Sequence, residues 1–460
     1  MATVTDAPAG SELPREAVVA GLPPGPRLPA LLQTIVWTLS PTWMMDRCAA
    51  RLGESFTITF WPSGMQMVLV SDPDAVKAIF TAPPEVAPSA AGNSPIAGVM
   101  GPSSVITLTG PEHMRQRKLL LPPFHGERMR EYEETILQAT RADMASWPRG
   151  RPMRLQARTR AITLEVILRA VFGVEGARMA PLKDAIGGLL EPMNLLAILR
   201  IALAPPSAER PDGPIGRALD RLDEVIYEEL ARRRAAADLE QRTDILSLLM
   251  QARDEDGEPM TDGELRDELV TLLLAGHETT ATSVAWAVER LVRHPQKLRR
   301  LVEEIDAGES EEYMNAVCNE TLRVRPVVPI VVRMLREPFR VAGRELPAGT
   351  RVVPSIYLTN RNSRVYERPA EFLPERFLQE GPETFSWIPF GGGIRRCIGA
   401  AFAQLEMKLI LRTVLSELEP SVASGWRHAL MRRGEPVRRR AITLVPLAGA
   451  QVVWEDRSAR

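Results

Sequence analysis

The stretch FGGGIRRCIG, residues 390–399, sets one cysteine among glycines and arginines, and the residues behind it, IGAAFAQLEMKLILRTVLSEL, carry apolar side chains at helical spacing. Gly391, Gly392 and Gly393 open backbone conformations closed to other residues and let the chain pass close to a flat ligand. Cys397 is expected at the mouth of the following helix, where the dipole favours negative charge. It therefore reads as a thiolate serving as nucleophile, redox thiol or metal ligand. A nucleophile needs a base beside it, and the sequence sets none of the five histidines next to Cys397.

With 460 residues, 45% hydrophobic and 25% charged, the chain can bury a large core. A net charge of −1 supplies no global field for nucleic acid or an anionic membrane. Three widely separated cysteines, Cys48, Cys318 and Cys397, favour a reducing compartment over a disulfide framework, with Cys48 and Cys318 read as small buried hydrophobes. The start, MATVTDAPAG, has no basic flank leading into an apolar run, so a cytoplasmic protein is expected. ALLQTIVWTL, residues 30–39, falls short of the roughly 20 residues of a membrane span. It reads as a packed helix, with Ile35, Val36 and Trp37 the side chains available to a membrane surface.

Residues 22–29, LPPGPRLP, form a proline-stiffened entry, and SFTITFW and QMVLVS, near 55–71, read as strands. Helical periodicity runs through about 128–147, 158–173, 217–235, 261–293, 310–325 and 397–419. Pro and Gly cluster at 82–111, 204–214 and 326–399, flanking the helices without dividing the chain. The expectation is one large domain, mainly α with small strand pairs and no internal repeat. The first two of those connections would line or cover a pocket.

Phe390, Gly393, Arg395, Cys397 and Gly399 together match the haem-ligand signature of the cytochrome P450 monooxygenases, and the chain resembles that family from about Leu22 to its C-terminus. The resemblance implies a mainly α, single-domain cytochrome P450 fold with small β-sheets, residues 1–21 being a flexible N-terminal segment and residues 22–460 the haem domain. It implies haem b with Cys397 as the iron ligand, Phe390 shielding the sulfur, Arg395 on a propionate and Gly399 permitting close helix approach. His113 and Arg117, four apart in GPEHMRQRKLLLPPF (110–124), would reach one anionic edge, and Arg333 would meet another propionate.

ETLR, residues 320–323, sets Glu320 and Arg323 one helical turn apart, which alone reads as an exposed pair of little energetic weight. By resemblance, Arg376 of PERF (374–377) joins them in a buried network that locks the segment carrying the cysteine loop. AGHETT, residues 275–280, lies on a helix with Leu265, Leu269, Leu272 and Leu273 as its apolar stripe. In the family this helix crosses the distal face of the haem. Glu278 and Thr279 would then deliver protons for dioxygen cleavage, Gly276 would leave room for oxygen and substrate, and His277 would be structural. Taken alone, Thr279 reads as a hydroxyl bonded back to its own helix.

By family position the pocket draws on the 86–108 loop, the 180–206 region, Leu272, Ala275, Gly276, Val327, Val328, Ile330, Val331, Ile442 and Thr443. These are mostly apolar, implying a bulky apolar substrate: a terpenoid, steroid, fatty acid or polyketide. The implied reaction inserts one atom of O2 and reduces the other to water. Electrons would come from NAD(P)H through a ferredoxin-type donor and its reductase, to a monomer with no nucleic-acid partner and no membrane span. Arg115, Lys118 and Arg396 are expected to form a basic patch that steers the donor. Two alternatives are a P450-fold enzyme that uses or rearranges a peroxide, against which the Glu278 and Thr279 pair argues, and a non-catalytic haem- or lipid-binding sensor, for which no output domain appears.

Overall fold

The computed structural model describes residues 19–93, 95–126, 128–173, 178–190, 209–379, 381, 383–423 and 434–457. In chain order the helices are α1 (Ala30–Leu39), α2 (Pro41–Leu52), α3 (Pro73–Thr81), α4 (Pro95–Met100), α5 (Gly110–Leu120), α6 (Arg128–Met144), α7 (Leu155–Phe172), α8 (Met179–Leu190), α9 (Gly213–Arg234), α10 (Ile245–Gln251), α11 (Asp262–Val292), α12 (Pro295–Ala307), α13 (Glu312–Val324), α14 (Ile356–Thr359) and α15 (Ala400–Glu417). The strands are β1 (Val19–Ala20), β2 (Ser55–Thr59), β3 (Gln66–Val70), β4 (Met153–Arg154), β5 (Arg333–Met334), β6 (Phe339–Val341), β7 (Arg344–Leu346), β8 (Arg351–Pro354), β9 (Leu418–Val422), β10 (Val437–Arg440), β11 (Thr443–Pro446) and β12 (Gln451–Asp456).

Small sheets border the helices. The largest has the order β2-β3-β8-β5, with β3 and β8 parallel and the outer pairs antiparallel. The others are β1-β7-β6, β4-β12-β9 and the hairpin β10-β11. Because β1 pairs with β7 through Val19 and Ala20, the folded unit begins before the expected boundary at residue 22. The Pro- and Gly-rich 82–111 stretch holds a short helix, α4, where only connection was expected. Of the 180–206 pocket region, residues 191–206 lie outside the described residues, as do 204–208 of the second cluster.

The longest helix, α11, spans 31 residues. Its start is fixed by a capping box, the Thr261 hydroxyl accepting from the Glu264 N–H while the Glu264 carboxylate accepts from the Thr261 N–H. Most of its residues are buried, charged and hydroxyl-bearing ones included, and it runs through the main core. Helix α7 lies against it. Thr159 and Thr163 donate to the carbonyls of Ala281 and His277, both at 2.9 Å. Gly276 stands at this crossing, where a Cβ would meet Ile167 Cδ1 at 3.0 Å. Its missing side chain thus serves helix packing, a role the sequence reading, which gave it to oxygen and substrate, did not foresee.

Glu320 and Arg323 of α13 are wholly buried. Arg323 donates Nε and Nη2 to the two carboxylate oxygens at 2.7 and 2.8 Å. Its remaining N–H groups donate to the carbonyls of Asn360, Pro369 and Glu371. Glu320 also accepts from the Leu373 N–H at 2.7 Å and lies 3.2 Å from Arg376 Nε. Asn360 in turn accepts from the Ile388 N–H, and Trp387 donates to the Asn319 carbonyl. The run from 360 to 390, which has little regular structure of its own, is thereby tied to α13.

Arg323→Ala leaves Glu320 buried without its main partner and is expected to lower the unfolding free energy by about 3–5 kcal/mol. Arg376→Ala, at a guanidinium that keeps some solvent contact, costs less. Urea denaturation of both variants checks the order, and equal losses would contradict it.

Candidate functional site

The cysteine loop is built by close approach to α3. A Cβ on Gly392 would meet the Phe80 ring at 2.5 Å, and one on Gly393, with φ of +65°, would meet the Phe80 carbonyl oxygen at 2.1 Å. These two glycines therefore make room for Phe80 of the protein itself. At Gly399 a Cβ meets nothing within 4 Å and φ is −84°, so no helix contact among the described residues demands glycine there. The Cys397 N–H donates to the Phe390 carbonyl at 2.9 Å, closing the loop, and the Phe390 ring stands edge-on to Trp387 at 6.2 Å.

Helix α15 begins at Ala400, so Cys397 sits three residues ahead of it and not within its first turn. Cys397 is exposed as a residue, yet surrounding protein desolvates its thiol. Burial pushes the thiol up. The Gly399 N–H and the guanidinium groups of Arg117 and Arg396 pull the other way and do not prevail. The dipole argument from the sequence thus overstates the thiolate, and a metal cation at the sulfur would supply what the protein alone does not.

Around this loop α5, β5 and the loop itself gather cations. Arg333 is nearly buried, its basicity lowered to about 10 by desolvation, and its guanidinium lies 5.8 Å from the Phe80 ring centroid. Arg395 is lowered to about 10 by burial and by repulsion from Arg333 and Arg117. His113, on α5, falls to about 4 through burial and then repulsion from Arg395, Arg117 and Arg333, and its buried Nδ1 has no hydrogen-bond partner. Among the described residues no carboxylate forms an ion pair with Arg117, Arg333 or Arg395. Their unmet need is for an anion. A planar group carrying two carboxylates and a metal that takes a thiolate fits this donor set.

Arg395 donates to the carbonyls of Val105, Ile106 and Leu108, and so grips the 101–108 loop. From the other side α11 holds the same loop. Asp267 accepts from the Ser103 N–H, Glu268 from the Val105 N–H at 2.8 Å, and the Ser104 and Thr271 hydroxyls meet at 2.6 Å. Gly101, with φ of +96°, leaves space for the Asp267 carboxylate, which a Cβ would meet at 2.0 Å.

On α11 the Thr279 hydroxyl donates to the Ala275 carbonyl at 2.7 Å, as the plain helical reading expects. Glu278 is buried between Arg160 of α7, at 2.8 Å, and Arg440 of β10, at 3.3 Å. Its Oε2 is ion-paired with Arg160 Nε, and its Oε1 accepts from Arg440. Desolvation raises its pKa, with the two arginines opposing. His277 is buried, bonded through Nδ1 to the Leu273 carbonyl at 2.8 Å and kept neutral by burial, with a pKa of about 4.

Of the residues expected at the pocket, Ala275 is open while Leu272, Gly276 and Val328 are half-buried. Val327 and Thr443 are buried, joined through the Leu444 N–H on the Val327 carbonyl. Ile330 packs with the cluster of Trp37 and Met44, Val331 with that of Val68 and Phe80, and Ile442 projects from the β10–β11 turn. The expected basic patch is reduced. Arg115 is taken by Asp254 and Glu264 at 2.5 and 2.6 Å, and Lys118 by Glu255 at 2.6 Å, leaving Arg396 exposed beside Ile394.

Three groups escaped the sequence reading. The Asp267 and Glu268 clasp and the Arg160 and Arg440 partners of Glu278 come from distant elements. Glu406 had a signal: an acid in the apolar run of α15, nine residues past Cys397. It is 1% exposed, has the Thr280 hydroxyl as a partner, leaves Oε1 unpartnered, and burial raises its pKa to about 8.

A mainly helical body, small peripheral sheets and a cysteine loop facing an acid-free cationic cluster define a haem-protein architecture. The chain belongs to the cytochrome P450 family, whose sequence model matches residues 22–431. Putative cytochrome P450 135B1 of Mycobacterium tuberculosis is 40% identical over 440 residues, covering 94% of this chain and 91% of that protein. Putative cytochrome P450 137 of the same species is 40% identical over 413 residues, covering 89% and 84%. Among solved structures, retinoic acid-bound cyanobacterial CYP120A1 superposes with a TM-score of 0.80 at 22% identity, covering 95% of this chain and 100% of that one. The protein is accordingly a haem-dependent monooxygenase, an oxidoreductase that uses dioxygen.

Glu406 and Glu268, both raised to about 8 from an ordinary 4.5, are protonated in the fold where the unfolded chain ionises them. Their stabilising contribution is complete below about pH 4.5 and lost as pH rises through about 8. Combined Glu268→Gln and Glu406→Gln replacement should flatten the fall in melting temperature across that range. Parallel curves for parent and variant would contradict it.

Proposed function

We propose that the protein is a haem-thiolate monooxygenase that inserts one oxygen atom of O2 into a bulky apolar molecule, taking electrons from NAD(P)H through a separate ferredoxin-type donor and its reductase. The observation that carries this reading is the convergence of Cys397 with an acid-free set of Arg117, Arg333, Arg395 and His113. When bound, the haem supplies the activation of dioxygen and the oxidation of the substrate carbon.

In this reading Cys397 Sγ would bind the iron, the three arginines would neutralise the propionates, relieving their mutual repulsion, and His113, neutral at a pKa of about 4, would offer a ring N–H to the same edge. Phe390, its ring edge-on to Trp387 and its carbonyl bonded to the Cys397 N–H, would shield one flank of the sulfur. Thr279, its own proton engaged on Ala275, presents Oγ1 as an acceptor that orients water next to the reacting oxygen. Glu278, buried next to Thr279 and held between Arg160 and Arg440, with desolvation raising its pKa, is the group that would pass protons inward from the side of those two arginines. A peroxide-using or rearranging enzyme would have no use for such a pair.

The apolar substrate is inferred from the apolar character of Leu272, Ala275, Val327, Val328 and Ile442, of which Ala275 and Ile442 are exposed and Leu272 and Val328 half-buried. The donor would dock where Cys397 comes nearest the surface, against Arg396 and Ile394.

The reduced carbon monoxide complex of the parent is expected to absorb at the long-wavelength Soret position of a thiolate haem, and Cys397→His is expected to lose that band while retaining haem. Retention of the band would remove Cys397 as the ligand. Thr279→Ala should bind haem and substrate as the parent does but release more peroxide or water per nicotinamide oxidised. Unchanged coupling would take Thr279 out of the proton path.

A further inference from the structure

Helix α1 is turned inside out. Its buried residues are Gln33, Thr34, Trp37 and Thr38, three of the four polar. Gln33 accepts from the Thr59 N–H at 2.9 Å and Thr34 from the Trp61 N–H at 2.8 Å, so the polar side of the helix satisfies the end of strand β2. The price is an apolar face turned to solvent. Leu31, Leu32, Ile35 and Leu39 share the outer face of α1, and Leu28 just before it and Trp43 at the start of α2 are open as well, each of the six 39–58% exposed. A surface helix ordinarily does the reverse. Among the named candidates for membrane contact in the sequence, Trp37 instead packs edge-on to Phe60 at 5.8 Å, and only Ile35 is exposed.

The rim of this face is cationic. Between Gly21 and Met45 the only charged residue is Arg27, and one and two turns past Trp43 stand Arg47 and Arg51, all three exposed. The nearby acid Asp46 accepts from the Tyr357 hydroxyl at 2.9 Å, and desolvation raises its pKa. Helix α1 also packs beside β10, whose hairpin contains no acid between Val437 and Leu447 and bears exposed Arg438 and Ile442. An apolar band flanked by arginines matches a bilayer interface, where acyl chains take the band and anionic headgroups the rim. A second copy of the chain fits poorly. Antiparallel pairing of the face sets Arg27 against Arg47 and parallel pairing sets each against itself, like charges in both cases.

We infer that the outer face of α1, with Leu28 and Trp43 beside it, seats the protein on the surface of an anionic lipid bilayer without crossing it. No helix among the described residues is long and apolar enough to span a membrane. Docked in this way, the β10–β11 turn with Ile442 faces the lipid, from which an apolar substrate would be drawn; this last step alone rests on the proposed monooxygenase reading.

The test uses the full-length holoprotein and extruded vesicles of phosphatidylcholine with and without phosphatidylglycerol. Co-sedimentation is expected with the anionic vesicles, weakened by salt and by omission of phosphatidylglycerol. Brominated acyl chains should quench a fluorescence component that Trp43→Phe removes. Leu31→Ser with Ile35→Ser, both at exposed positions, should lower partitioning by at least about tenfold with an unchanged melting temperature and haem spectrum. Absence of vesicle binding, or equal binding by the double variant, overturns the inference. So does sedimentation equilibrium showing a dimer that the same two substitutions dissociate. Because partitioning is read without turnover, it stands or falls separately from the monooxygenase reading.

Discussion

The Glu320 and Arg323 pair has no access to water, and everything around the cysteine loop depends on it. A buried guanidinium is costly unless each N–H is matched, and here the carboxylate and three backbone carbonyls match them. Those carbonyls belong to Asn360, Pro369 and Glu371, so satisfying one arginine fixes three points of an otherwise irregular strand of chain. Asn360 and Asn319 carry the order onward to Ile388, Trp387 and Gln404, which bracket Cys397 on both sides. The energetic cost of burying two charges is thus offset by rigidity where the site requires it.

The charges nearer the site are left in tension. Arg395 is repelled by Arg117 and Arg333 with no acid among them, the three together hold His113 neutral, and burial holds the Cys397 thiol up. Each of these strains has the same remedy, a metal-bearing dianion. On the other side of the site, Glu268 and Glu406 are acids kept protonated by burial, one clamping the 101–108 loop and the other joining α15 to α11. Sites that bind cofactors are where such imbalance is expected.

The fold was legible where periodicity was strong. The strands at 55–71 and the helices α6, α7, α9, α11, α13 and α15 lie within a few residues of the apolar patterns, although α15 begins after Cys397 and not at it. The motifs also pointed to residues that lie together in the fold, because a cysteine loop and an ETLR helix are local patterns. What the sequence did not reveal depends on contacts between distant segments. Gly276 proves to face Ile167, Gly392 and Gly393 to admit Phe80, and Arg115 to be neutralised by Asp254 and Glu264. Helix α1 is the clearest case. Its apolar composition read as a packed helix, and only the strand end it serves explains why the polar residues turn inward.

The central claim is that the α13 network holds the cysteine loop in place for its ligand. It is tested most directly by a urea titration of the reduced carbon monoxide complex of Arg376→Ala, following the thiolate Soret band and the helical circular dichroism together. The account predicts that the variant loses the thiolate band at clearly lower urea than its helical signal, while in the parent the two fall nearer together. Coincident loss of both signals in the variant, at the parent's midpoint, would contradict it.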